Sequence, residues 1–323
     1  MKKIIALLLL TAILTLSLAS CFPAESAKLR VGYLTGPTGM GMAKLIVDNS
    51  GEDTKYEFTK YTDSTLAQAD LLAGKIDIIC LPTNEAAMLY SKAESNKPVV
   101  LAVNCLNSLY LLTDKNTTVT SLKDFEGQTV YTCKNGTPRK VLEYIVKSQG
   151  LNIEISYTYN NEEIAKPQDL SALVTAGKLP NAVMPEPLVT STLLAIQKGG
   201  NPDISYSIDV NMTEEWAKIS DTPVVMGCIV ASSDTKNNAG LDSFLEEYKA
   251  SVEFISNPDN IDSAANYVVE TGIMGAVPAA KKALTNLGSA ISYIDGADMK
   301  AALISFYNAI GVTLPDEEFY YEK

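Results

Sequence analysis

The sequence predicts an α/β protein of two doubly wound lobes joined by a hinge. Strand-like and helix-like segments alternate from Leu29 onward, a pattern that favours sheets covered by helices. The stretch AGKIDIICLPTN at 73–84 returns as AGKLPNAVMPEP at 176–187, with Ala, Gly, Lys and Pro in register. Two distant copies of one unit indicate two similar lobes, because a solenoid needs several adjacent copies. Because the sequence has no long linker, we expect the chain to cross between the two lobes more than once.

The first round of the alternation spans 29 to 113. Its predicted strands are 29–34, 56–60, 76–81, 99–104 and 108–113. Its predicted helices are a segment through Val47 after the loop 36–41, then 66–73 and 85–91. Each repeated unit combines a helix ended by Gly, a buried strand, a Pro-bearing turn and a new helix.

The second round begins after SLKDFEG at 121–127, which is typical of a capped helical turn. Its predicted strands are 128–133, 154–159 and 181–184, and its predicted helices are 139–148, 170–176 and 188–197. Gly36 and Pro82 are 46 residues apart, and Gly136 and Pro185 are 49 apart, so the two rounds match in spacing. We therefore expect one parallel sheet with helices on both faces in each lobe.

The remaining chain is predicted to return to the first lobe. The apolar run 223–231 suits a strand, and helices are predicted at 244–255, 262–270, 278–286 and 298–309. The expected organisation is a signal peptide at 1–20, a lipid tether at 21–27, lobe I at 28–113 plus 224–323, and lobe II at 114–223.

The amino terminus predicts export and lipid anchoring. A basic start is followed by an apolar run from Ile4 to Leu16 and by Leu-Ala-Ser-Cys at 18–21. This tetrad resembles the lipobox of bacterial lipoproteins, in which the Cys, here Cys21, is acylated and becomes the first residue. Two acyl chains anchor a protein stably. The alternative is a plain signal peptide with an incidental cysteine.

Composition excludes several functions. The formal net charge of −12 argues against a nucleic-acid partner. The chain has no His, which removes the Ser-His-Asp and Cys-His nucleophile systems and every His-bearing metal site. Cys80, Cys105, Cys133 and Cys228 lie in or near apolar runs without C-x-x-C spacing. They are expected to be buried free thiols, and no metal or cofactor site is predicted.

Four loops are the candidate binding site, because ligands of doubly wound sheets lie beyond the carboxyl ends of the strands. They are 36–40 and 82–84 in the first round, and 135–138 and 185–187 in the second. Backbone N–H groups at helix starts can hold an anion or a carbonyl oxygen. The candidate ligand-binding residues are Gly36, Pro37, Thr38, Gly39, Thr83, Asn84, Asn135, Thr137, Glu186 and the possible stacking residue Tyr110.

Each candidate also has a purely structural interpretation. The threonines and Asn84 suit helix N-caps, Glu186 suits a positive helix end, and Tyr110 suits a core. Arg139 could clamp an anion or be a solvated surface cation. The matched places of these residues in two rounds favour the ligand-binding interpretation.

Several segments resemble the substrate-binding lipoproteins of ABC importers, in the branch of nitrate, sulfonate, taurine and thiamine-precursor binders. They are LASC (18–21), VGYLTGPTGM (31–40), AGKIDIICLPTNEAA (73–87), VNCLNSLYLLT (103–113), SLKDFEGQTVYT (121–132), NGTPRKVLEYI (135–145), VMPEPLVT (183–190), MTEEW (212–216) and LEEYKASVEFI (245–255). The resemblance implies a type II periplasmic-binding-protein-like fold, two crossing segments, and ligand contacts at 36–39, Thr83, Asn84, Thr137 and Glu186. Leu179-Pro180-Asn181 departs from the Ala-Asp-Ile more usual there, and Pro180 fits only the start or edge of a strand.

The resemblance implies a monomer that delivers a small organic molecule to ABC permease subunits by closing its lobes. Helix N-termini, hydroxyls, Tyr residues and one Glu favour a neutral, zwitterionic or heterocyclic ligand that can be mildly basic. Two alternatives stay open. One is an enzyme on the same fold that acts on a small heterocycle or acid. The other is a sensor or adhesive lipoprotein without a transport role.

Overall fold

The computed structural model describes residues 28–51, 53–115 and 118–322. The predicted signal peptide, tether and lipidated Cys21 lie outside these residues. The strands are β1 (Leu29–Leu34), β2 (Tyr56–Tyr61), β3 (Ile78–Pro82), β4 (Pro98–Leu106), β5 (Leu109–Asp114), β6 (Thr129–Tyr131), β7 (Glu154–Ser156), β8 (Thr158–Tyr159), β9 (Glu162–Glu163), β10 (Asn181–Pro185), β11 (Tyr206–Asn211), β12 (Val225–Ser232) and β13 (Ile291–Ile294).

The helices follow the predicted alternation. They are α1 (Pro37–Met40), α2 (Ala43–Asp48), α3 (Ser64–Leu72), α4 (Thr83–Lys92), α5 (Thr137–Gln149), α6 (Pro167–Thr175), α7 (Leu188–Gly199), α8 (Met212–Ala217), α9 (Leu241–Ser256), α10 (Ile261–Glu270), α11 (Val277–Leu287) and α12 (Gly296–Ala309). None of these helices in the described ranges has the length and apolar character needed to cross a membrane.

The first sheet has six strands in the order β13-β4-β12-β3-β1-β2. β1 runs parallel to β2 and β3, as predicted, whereas β12 runs antiparallel to both β3 and β4. The expectation of a purely parallel sheet was therefore wrong. The pairing of β12 is antiparallel because the chain leaves this sheet at the end of β4 and comes back through β12 beside it. All eight residues of β12 are buried, which suits a central strand.

The prediction of one parallel sheet is also wrong for the second half, which contains an antiparallel sheet in the order β10-β5-β11 and a separate parallel pair, β6-β7. The Asn181 side chain connects them, since it accepts from Tyr131 N at 3.2 Å and donates to Thr129 O at 3.0 Å. Pro180 lies just before β10, where its missing N–H does no harm to the ladder.

The chain crosses between the halves at 107–108 and at 218–224, and Asn107 joins the two crossings. Its N–H donates to Val224 O at 2.9 Å, and its side-chain oxygen accepts from Val224 N at 3.0 Å. Asn107 has φ 43, a left-handed conformation that Asn tolerates better than most residues. This paired contact joins the two crossings of the chain.

β5 belongs to the second sheet by its hydrogen bonds, although a lobe limit at 113/114 would leave it in the first lobe. It pairs with β10 and β11 along its length. Strand pairing therefore favours a boundary between the halves at Asn107 and Val224, where the chain crosses from one half to the other.

The apolar core has three parts. One belongs to each half, and the third contains residues of both halves and includes Trp216 against Tyr144 and Phe306. The four cysteines of the described chain are buried and unbridged, which confirms the prediction of free thiols.

Candidate functional site

A cavity of 390 Å³ lies where loops of the two halves meet, a volume within the usual range of small-molecule sites. All four predicted loops reach it, together with the loops that follow β2 and precede α6. Of the predicted ligand-binding residues, six line the cavity: Gly36, Pro37, Thr38, Asn135, Thr137 and Glu186. Gly39, Thr83, Asn84 and Tyr110 do not line it.

The loop after β1 is held close to β12. Thr38 is buried, and its carbonyl accepts from Asn104 Nδ2 at 2.9 Å. A Cβ on Gly227 would lie 2.3 Å from Thr38 Cγ2, so β12 can approach this loop only through a glycine. Gly39 serves packing in a similar way, because a Cβ there would lie 2.1 Å from Leu34 O.

The turn after β3 faces inward with different residues from those predicted. Pro82 and Glu85 line the cavity, whereas Thr83 and Asn84 are buried beneath it. Thr83 Oγ1 donates to Val225 O at 2.6 Å. Asn84 Oδ1 accepts from Thr137 Oγ1 at 2.7 Å, which is a hydrogen bond between the two halves. The side chains of Thr83 and Asn84 are therefore hydrogen-bonded within the protein, although the sequence predicted that they bind the ligand.

Helix α5 begins at the cavity with Thr137 and Pro138. Gly136 before it has φ 98, which a side-chain-bearing residue rarely adopts. Asn135 is exposed at the cavity wall and Thr137 is buried. Arg139 points elsewhere, since it pairs with Glu143 at 2.7 Å and stacks on Tyr157. The structure thus supports the surface interpretation of Arg139.

Glu186 is completely buried and is held by three donors. Its oxygens accept from Thr190 N at 3.1 Å, from Thr190 Oγ1 at 2.8 Å and from Asn286 Nδ2 at 2.6 Å. Burial raises the pKa of this carboxyl, and the three hydrogen bonds oppose the rise. Because Asn286 belongs to α11 of the first half, Glu186 links the halves as well as lining the cavity.

Tyr110 also joins the halves, through its hydroxyl. Tyr110 OH donates to the Asn286 backbone oxygen at 2.8 Å. Burial raises the pKa of Tyr110 to about 12. Asn286 therefore contacts the second half with both its side chain and its backbone, which places it at the centre of the contact.

Sequence reasoning missed three charged residues of the cavity: Asp63, Glu85 and Lys166. Lys166 Nζ lies 3.0 Å from Asp63 Oδ2, and the Lys166 hydrogen bond holds the pKa of Asp63 below its usual range. The rule of strand carboxyl ends points to Asp63, because β2 ends at the same edge as β1 and β3. Applying that rule to β2 would have found it.

The described chain has no group of three or more acidic or Cys side chains placed to hold a metal ion. A second hollow of 510 Å³ lies outside the four loops, along α7 and near Lys115 and Lys282. None of the predicted site residues lines it.

Solved structures share this fold. An ABC transporter protein of Parabacteroides distasonis has a TM-score of 0.70 at 21% identity, covering 92% of this chain and 99% of that one. The periplasmic aliphatic sulphonate binding protein SsuA of Escherichia coli has a TM-score of 0.65 at 16% identity, with 91% and 90% covered. The periplasmic nitrate-binding protein NrtA of Synechocystis PCC 6803 has a TM-score of 0.61 at 12% identity, with 85% and 75% covered. No protein-family model and no curated protein matches the chain. The similarity confirms the predicted two-lobed, type II periplasmic-binding-protein fold.

Proposed function

We propose that this protein is an extracytoplasmic solute-binding lipoprotein that delivers a small organic molecule to an ABC permease. The observation that carries the proposal is the cavity between the two halves, which loops from both sides line. A ligand held there contacts both lobes, so its binding energy favours the closed arrangement over an open one. The permease would recognise that closed arrangement.

The hydrogen bonds between the halves support the closure mechanism. Asn84 with Thr137, and Asn286 with Glu186, join groups that a hinge motion at Asn107 would separate. These bonds lie at the cavity, so opening the lobes would break them and expose the ligand. We propose lobes that meet at Asn107 and Val224, with the ligand contacting Gly36, Pro37, Thr38, Asn135 and Thr137.

The proposal also assigns a location. The Leu-Ala-Ser-Cys tetrad supports acylation of Cys21, which would tether a monomer to the outer face of the cell membrane. Cys21→Ala in the full chain is expected to move the protein from the membrane fraction to the soluble exported fraction. A variant that stays in the membrane fraction would contradict lipid anchoring.

The experiment that tests solute binding is native mass spectrometry of the purified protein, followed by thermal-shift screening of small metabolites. We expect a non-covalent adduct of one small molecule, or a screened compound that raises the melting temperature. Calorimetry should then give a stoichiometry of one. Absence of any bound compound in both experiments would contradict the proposal.

An enzyme on the same fold is the second candidate, and two observations favour it. Glu85 and Glu186 line one cavity, and burial raises the pKa of both carboxyls, as is common among acid–base catalysts. Incubating any bound compound with the protein distinguishes the two functions. A solute-binding protein returns the compound unchanged in mass, whereas an enzyme yields a product.

A further inference from the structure

The charges of the cavity wall are unbalanced. Four charged residues line it: Asp63, Glu85, Lys166 and Glu186. Lys166 Nζ lies 3.0 Å from Asp63 Oδ2, so the Asp63 carboxylate balances the charge of this cation. Neither glutamate has a cation within 4.0 Å among the described residues, and the charge of Lys282 acts on Glu186 from a greater distance. The wall is therefore acidic when both glutamates are ionised.

The two glutamates differ in what they can offer a ligand. Glu186 is completely buried, and its carboxylate already accepts three hydrogen bonds. Glu85 is half-buried and accepts two hydrogen bonds, one from Gln68 Nε2 to Oε2 at 2.7 Å and one from the Ser64 side chain. Its carboxylate keeps lone pairs for a donor that enters the cavity. Glu85 is thus the group that a ligand can reach.

We infer that the ligand is a small organic cation whose positively charged group pairs with Glu85. This inference rests on the proposed function and specifies its ligand class. A half-buried carboxylate without a counter-charge has lost solvation that an ammonium or amidinium group would replace. An anion such as a sulfonate would meet the same carboxylates without an unpaired cation to hold it, which like-charge repulsion opposes.

The rest of the wall suits the body of such a ligand. Leu34, Met226, Ile273 and Met274 supply apolar surface, and Met side chains adapt to irregular shapes. Burial raises the pKa of the Glu85 carboxyl, and the charge of Asp63 adds to the rise. A bound cation would oppose both effects, so it favours the ionised form of Glu85.

The test uses two sets of similarly shaped compounds, and each set contains a cation, a neutral compound and an anion. Benzamidine, benzamide and benzoate form one set, and phenylguanidine, phenylurea and benzenesulfonate form another. Their binding is measured by thermal shift and calorimetry on the wild type, on Glu85→Gln and on Glu126→Gln. Glu126 is an exposed carboxylate that does not line the cavity, so it controls for the change of net charge.

We expect the cations to bind more tightly than their neutral and anionic partners. Glu85→Gln should weaken cation binding by roughly tenfold to a hundredfold, the value of a hydrogen bond to a charged group. Glu126→Gln should behave as the wild type. Glu85→Asp, which keeps the charge, should retain the preference for cations even if the affinity falls.

Preference for the neutral or anionic compounds, or cation binding that Glu85→Gln leaves unchanged, would overturn the inference. Those results would leave solute binding intact, because a ligand would still occupy the cavity. If none of the six compounds binds, native mass spectrometry of the co-purified molecule decides. A cationic co-purified molecule supports the inference, and a neutral or anionic one overturns the cation alone. No co-purified molecule, together with no stabilising compound in the metabolite screen, overturns the proposed function as well.

Discussion

Replacing Asn286 by alanine should loosen the contact between the lobes. Asn286 Nδ2 donates to Glu186 Oε1 at 2.6 Å and to Thr190 Oγ1 at 3.2 Å, and alanine removes both bonds. The bond from Tyr110 to the backbone oxygen of residue 286 does not depend on the side chain. The variant therefore isolates one side-chain link between the halves.

The size of the effect follows from the partners. A hydrogen bond to an ionised carboxylate contributes about 1.5–3 kcal/mol, and about 0.5–1.5 kcal/mol if Glu186 is protonated. The bond to the neutral Thr190 Oγ1 is longer, at 3.2 Å, and is expected to contribute less than the bond to the carboxylate. An equilibrium between closed and open lobes would shift by about tenfold or more toward the open form if Glu186 is ionised.

The assay is double electron–electron resonance between spin labels on Lys92→Cys and Lys198→Cys, which are exposed and lie in different halves. We expect Asn286→Ala to broaden the distance distribution of the unliganded protein and to weaken ligand binding. Asn266→Ala is the matched control. Asn266 is an exposed helical Asn whose side chain bonds only its own helix, at Asp262 O.

Two results would refute this reasoning. Unchanged distances and affinity in Asn286→Ala would show that the link contributes nothing to closure. An equal effect in Asn266→Ala would show that the change arises from helix stability and not from the contact between lobes.

Two single contacts and two buried titratable groups give four further predictions. Thr137→Val leaves the buried Asn84 Oδ1 without its donor and should cost about 1–3 kcal/mol in urea denaturation, whereas an unchanged midpoint would contradict the link. Trp216→Ala should cost about 3–5 kcal/mol, seen as a lower melting temperature, because the indole is fully buried between Tyr144 and Phe306. Glu85 has a raised folded-state pKa, so its protonated form stabilises the fold below the usual value of 4.5, and this contribution is lost as pH rises through the raised pKa. The stability that Glu85→Gln gains over the wild type should therefore grow between about pH 4.5 and neutrality, and a constant difference would contradict the assignment. Burial raises the pKa of the Cys133 thiol to about 11, so Ellman's reagent at pH 8 should modify it only after denaturation.

Much of the fold could be predicted from local patterns. The alternation and the repeated Pro turns located most helices and strands, because apolar runs ended by Gly or Pro are local signals. β11 was missed although Tyr206, Ile208 and Val210 alternate with polar residues in it, which is a strand pattern. β13 is a short edge strand that pairs with β4 at only Ile291 and Ile294, and so few residues give no pattern to detect.

The candidate site could be predicted at the level of loops and not of side chains. All four loops reach the cavity, because this fold places loops that follow strand ends around one site. The direction of each side chain depends on packing between the halves. Thr83 and Asn84 turn to Val225 and Thr137, and the neighbouring Glu85 faces the cavity instead. Such long-range partners cannot be read from spacing.

The most direct test of a solute-binding function is a crystal structure of the protein with the compound that stabilises it most. We predict electron density for one molecule in the cavity, contacting the loop at Gly36–Thr38 and the loop at Asn135–Thr137, with the bond between Asn286 and Glu186 in place. Density for the compound only outside this cavity, on one half of the protein, would contradict it.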